Sequence, residues 1–266
     1  MAGSIASPNE SGFLWWRHEA DALLPDLALA RDRLDSIVGF VDDHFPSWSV
    51  GMDSADFLSR DARREFFRTL RVVLQNEQLT YGFIRDHLSY PEWWSDHRVD
   101  PSSPVALGSI GEYDIMAKFV VVHSTVNATE ETLRAIIRSA PSGTFSKGIT
   151  PVKPLESIYK HILKVLNLQG LGGIFEIVRL IGNTRHTNGI FIPSDGKDLT
   201  ITYEGRDFPF EYGRPIDWDR RAFLFLVPLE LTIAMAQVVT APEISAIPYC
   251  PRFAPLQRVV TRPEQD

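Results

Sequence analysis

The chain has 266 residues and a net charge of −7, with 44% apolar and 23% charged residues. Its 16 Phe, 6 Trp and 7 Tyr supply ample core-forming surface, which excludes disorder as the general state. A single cysteine, Cys250, excludes an internal disulfide framework and a thiolate zinc site.

The first ten residues have neither a basic start nor a continuous apolar stretch, so no secretory signal is expected and the expected location is cytoplasmic. Helical periodicity then dominates. It predicts a first pair of helices over 12–29 and 34–45. A third long helix is predicted over 60–88, where Phe66, Phe67, Leu70, Val73 and Leu74 recur at three- and four-residue spacing. Residues 89–111 read as an irregular stretch, and the pair Trp93 and Trp94 marks it as a packed loop. Helix resumes over 112–138, although Phe119, Val120, Val121 and Val122 also permit a strand.

Residues 140–154 form a loop by composition. Two helices follow, 155–166 and 173–185, separated by a joint rich in glycine at Gly170, Gly172 and Gly173. Then the period changes to two: 199–203 and 206–210 flank Glu204 and Gly205, a two-residue hairpin signal, with Pro209 marking an edge strand. A final long helix is predicted from the N-cap Asp217 to a stop before Pro242. Its stretch 222–239 is the most hydrophobic in the chain. Pro228, Glu230, Thr232 and Gln237 interrupt it, so a buried core helix kinked at Pro228 is expected rather than a membrane span.

The fold class expected is therefore mainly α, a helical bundle with a small β-hairpin inserted before the last long helix. The division expected is an N-terminal helical region over 1–111, a helical domain with the hairpin over 112–241, and a proline-rich tail over 242–266.

Several site patterns fail on residue type. Gly170, Gly172 and Gly173 suggest a dinucleotide loop, but Phe175 stands where the third glycine is needed. The run from Gly143 to Gly148 lacks the Gly-Lys-Ser/Thr order of a phosphate loop. Asp42, Asp43 and His44 read as a solvated helix end more readily than as a chelate. No metal site and no cofactor are expected.

The informative segment is 174–189. Glu176, Arg179, Asn183 and His186 are spaced three, four and three apart, so on a helix they form one stripe. Arg179 and His186 lie about 10.5 Å apart along the axis at nearly the same angle. Phe175 and Leu180 flank the stripe on one side, and Ile174, Ile177, Val178 and Ile181 on the other. A narrow polar seam between apolar shoulders fits a groove or an interface. A guanidinium beside an imidazole can cut RNA without metal: His moves the proton, Arg stabilises the phosphorane, and Asn183 orients either partner. The seam lies in a window, 132–194, with eight basic residues against two acids. A polyanion would be attracted there, though such a window can equally be a solvated face.

These residues resemble HEPN-domain proteins, a helical nuclease superfamily of bacterial defence and toxin–antitoxin systems. Their hallmark is Arg followed after four to six residues by His near a helix end. Arg179 with six residues before His186 is the long form, and Asn183, Thr184, His186, Asn188 and Gly189 are similar to the core of one bacterial group. Leu180 departs from the polar residue that follows the Arg in many active members. Gly182 stands where the similar group often carries Arg. The resemblance covers roughly 155–239. It implies a metal-independent endoribonuclease with Arg179, His186 and Asn183 catalytic, paired across a homodimer. RNA would be held by Arg185, Lys160, Lys164 and Asn188, and an antitoxin or other protein would be a partner. The alternative is a non-catalytic interaction or scaffold protein that uses the same seam for dimer or partner contacts. A small-ligand pocket beside the loop at Trp93 is a further, weaker reading.

Overall fold

The computed structural model describes residues 8–44, 61–146, 148–184, 187, 189–216 and 221–252. Among the described residues the architecture is mainly α, with one two-stranded antiparallel hairpin ahead of the last long helix.

Helix α1 runs unbroken over Pro8–His44, where the sequence predicts two helices. Leu27, Ala30 and Leu34 keep the three- and four-residue spacing across the expected gap, and all three are buried. Ala30, Arg31 and Arg33 favour helix there, so nothing local stops it. Helix α2, Ala62–Phe83, is capped by Asp61, whose carboxylate accepts the backbone N–H of Arg63. A π-turn at Ile84–Leu88 continues it. Helix α2 is sandwiched between α1 and α4, and the predicted apolar set Phe66, Phe67, Leu70, Val73 and Leu74 lies in the core.

The expected loop after α2 is packed and includes the short helix α3, Pro91–Asp96. Trp94 is buried there and donates its indole N–H to the carbonyl of Leu88 at 2.8 Å. Helix α4 spans Pro104–Ser139, starting eight residues before the predicted onset. Its Phe119–Val122 run is helical: Val121 and Thr125, four residues apart, are both buried on one helical face. The boundary expected at 111–112 falls inside α4, and one core cluster holds residues from α1 through Cys250.

Helices α5, Leu155–Val165, and α6, Gly172–Thr184, meet through a 3-10 turn at Gln169–Leu171. Strands β1, Leu199–Tyr203, and β2, Arg206–Phe210, pair in the register Tyr203↔Arg206. Glu204 and Gly205 both take positive φ, 48° and 70°, the two-residue turn that suits the strand twist.

A π-turn, Ala222–Leu226, leads into α7, Val227–Thr240. The N–H of Val227 reaches five residues back to Ala222, and Pro228 has no N–H to restore the ordinary ladder. The stretch Ala222–Thr240 is long and apolar enough to cross a membrane, yet 61% of its apolar window is buried within the fold. The expected N-cap Asp217 lies outside the described residues. The helix ends before Pro242, as the sequence predicts, and a short helix, α8, follows at Pro242–Ser245.

Candidate functional site

Helix α6 buries nearly all its circumference. Ile174, Phe175, Ile177, Val178, Leu180 and Ile181 are in the core, and beyond the first two glycines the stripe of Glu176, Arg179 and Asn183 is what reaches solvent. Both departures from the HEPN pattern are packing positions. Leu180 is buried. A Cβ on Gly182 would come within 2.9 Å of Val126 on α4, so no longer side chain fits there without moving the helices apart.

The seam is an ion-pair network. Arg179 grips Glu176 one turn back with both Nη2 and Nε, at 2.5 and 2.8 Å. The Tyr159 hydroxyl on α5 donates to the same carboxylate, and its ring stacks on Phe175. Glu156 lies 3.9 Å from the Arg179 Nε and pairs with Lys160 at 2.5 Å. Burial pushes the Glu176 carboxyl up, but hydrogen bonds from Arg179 and Tyr159 outweigh it and hold it below the ordinary glutamate range. The bond to Glu176 in turn raises the Arg179 guanidinium. Burial, then the bond to Glu176, pushes the Tyr159 phenol far up.

The network therefore joins two cations to two carboxylates. A phosphate arriving there meets an Arg already held by a bidentate carboxylate, with little net positive charge. Of the expected RNA-contacting residues, Lys160 is brought beside Arg179 through Glu156, whereas Lys164 is exposed further along α5. Asn183 is exposed beyond Arg179. His186, Arg185 and Asn188 lie outside the described residues. The basic window is also largely used internally. Arg134 binds Glu130 and the carbonyls of Pro151 and Lys153, and Arg138 binds the carbonyls of Pro251 and Arg252.

Sequence reasoning missed Tyr159 and Glu156. The i,i+3 acid–base spacing of Glu176 and Arg179 was the visible signal for the pairing itself.

A cleft of about 360 Å³ opens beside the end of α6. Ile181, Thr184 and Gly189 form one side, Phe119 and Val122 of α4 the other, and Phe223 of the π-turn its edge. Gly189 has φ 82° and donates its N–H to the carbonyl of Thr184, the left-handed stop that its residue type suggests. The Trp93 region does not line this cleft: Trp93 stacks on His97 at 4.0 Å instead.

Below the cleft mouth, Lys118 pairs with Asp114 at 2.8 Å, and the Tyr81 hydroxyl donates to the same carboxylate at 2.5 Å. Glu77, also buried, is pushed up to about 7 by its burial and then by the Asp114 charge. Among the described residues no group of three or more His, Cys, Asp or Glu is placed to hold a metal ion.

Comparison with protein-family models, with curated proteins and with solved structures finds no match to this chain. The resemblance to HEPN proteins thus rests on the residues of 155–239 alone.

Proposed function

We propose that this is a helical interaction protein that works as a homodimer, with α4 as the contact element. The observation that carries the reading is a stripe on α4. Tyr113, Ile115, Met116, Phe119 and Val120 all face solvent, with Ile115 63% and Phe119 50% exposed. They follow three- and four-residue spacing on the face opposite the core residues Ala117 and Val121. Soluble monomers rarely leave a contiguous patch of this kind uncovered.

A second copy is the occupant that the stripe fits best. It lies near the middle of a 36-residue helix, so a two-fold rotation lays it on itself. Its five large side chains present on the order of 500 Å², and two such faces together approach the ~1,000 Å² of a specific interface. The Arg179 network also suits a scaffold: Tyr159 of α5 and Arg179 of α6 meet on one carboxylate, which holds the Arg179 guanidinium on Glu176. Sedimentation equilibrium tests the reading. The wild-type chain should sediment as a dimer and Phe119→Glu as a folded monomer; a monomeric wild type would overturn it.

One observation favours the ribonuclease as a second reading. Lys160 is joined to Arg179 through Glu156, and Asn183 is exposed one turn beyond Arg179 on α6; all three are residues to which the HEPN resemblance gives a role. Incubation of the purified chain with single-stranded RNA in the presence of a chelator decides. Cleavage that His186→Ala abolishes would establish it, and intact RNA would exclude it.

A further inference from the structure

We infer that the cleft between α4 and the end of α6 is a binding site for a small amphipathic molecule, a medium-chain acid with a second oxygen at its far end. The inner part of the site is buried within one chain, whereas Ile115 and Phe119 at its mouth also belong to the exposed α4 stripe.

The outer end is set by Lys118, which lines the cleft. Its bond to Asp114 uses one of three ammonium hydrogens and leaves the others for an anion. The walls are apolar. The inner end adjoins the cleft across Val122, Ile181 and Phe223 and is a chamber of about 10 Å³ between α4, α6 and Pro228.

Thr125 lines that chamber. It is 3% exposed, and among the described residues its hydroxyl has no hydrogen-bond partner, although its carbonyl accepts from Thr129. Buried hydroxyls are normally paired. The chamber has room for about one water, but a water there wants two to four polar partners, and the lining offers one side-chain hydroxyl among apolar groups. An oxygen delivered on an apolar chain satisfies Thr125 without needing the rest.

The spacing matches one ligand. Lys118 and Thr125 are seven residues apart, so they share a face of α4 about 10.5 Å apart along its axis. Val121 and Val122 lie between them. A carboxylate at Lys118, an aliphatic body along the valines and a terminal hydroxyl at Thr125 would occupy the whole site. Volume agrees, since 360 Å³ lies in the range of small-molecule pockets.

Isothermal titration calorimetry of the full chain with ω-hydroxydecanoate, decanoate and decanol, each below its aggregation concentration, tests this. ω-Hydroxydecanoate should bind one per chain and about tenfold more tightly than decanoate, with decanol weakest. Thr125→Val should erase the difference between the two acids and leave decanoate binding unchanged. Absence of binding, equal binding of all three ligands, or a difference that survives Thr125→Val would overturn the assignment. Should that variant fail to fold by circular dichroism, the ranking on the intact protein decides.

Discussion

Arg63 is wholly buried and nonetheless fully used. Its guanidinium forks onto Asp61 at 2.6 and 3.0 Å and donates to the carbonyls of Ile244 and Ile247, both at 2.9 Å. Removing one partner of such a pair strands the other in low dielectric, at about 3–5 kcal/mol. Arg63→Met should therefore lower the urea-unfolding free energy by that order, and a loss under 1 kcal/mol would contradict the role. Glu77 makes the opposite kind of demand. Its folded carboxyl titrates near 7, against an ordinary value of 4.5. The folded chain holds this proton more tightly than the unfolded one. The resulting stabilisation is complete below about pH 4.5, shrinks as the unfolded group ionises, and is gone above about pH 7. The difference amounts to roughly 3 kcal/mol. Urea titrations at several pH values should show wild type losing stability relative to Glu77→Gln across that window. Parallel profiles would refute the assignment.

Among the elements, α4 shows how far periodicity carries and where it stops. Helix over 112–138 follows from Val121, Thr125, Val126, Thr129, Leu133 and Ile136, which meet the core at helical spacing. Its earlier onset at Pro104 was hidden by the prolines and serines before it, although proline suits a first helical turn. The break expected in α1 is absent for the converse reason: Ala30, Arg31 and Arg33 at the supposed gap are good helix formers. The hairpin was fully legible, since Glu204 and Gly205 encode the turn locally. The seam on α6 was legible as a stripe, but its chemistry was not. Tyr159 and Glu156 arrive from α5, and no spacing within α6 announces them. Packing of α6 on α4 is testable at Gly182. Alanine there gains about 1 kcal/mol of helix propensity but overpacks Val126, which costs ~1–3 kcal/mol. The pair Gly182→Ala and Val126→Ala should couple favourably by more than 1 kcal/mol in a double-mutant cycle. Additive effects would show that the helices do not approach so closely.

Over the whole molecule, a single core runs from α1 to Cys250, and Cys250 shares it as a structural thiol. Burial pushes that thiol up to about 12, far from the range of a reactive nucleophile. Modification of the native chain by a disulfide reagent should be slow and should speed up only under denaturant. Labelling as fast as a free thiol's would contradict its burial. The Asp61–Arg63 clasp joins positions more than 180 residues apart in the chain, and the N–H of Ala62 also reaches the carbonyl of Cys250. During synthesis, then, the start of α2 leaves the ribosome long before the carbonyls of Ile244, Ile247 and Cys250 exist. Nascent chains that stop short of residue 244 keep the Asp61 pair but lack the carbonyls of Ile244 and Ile247 that complete the burial of Arg63, and these truncated products are the ones a cell's proteases should meet first.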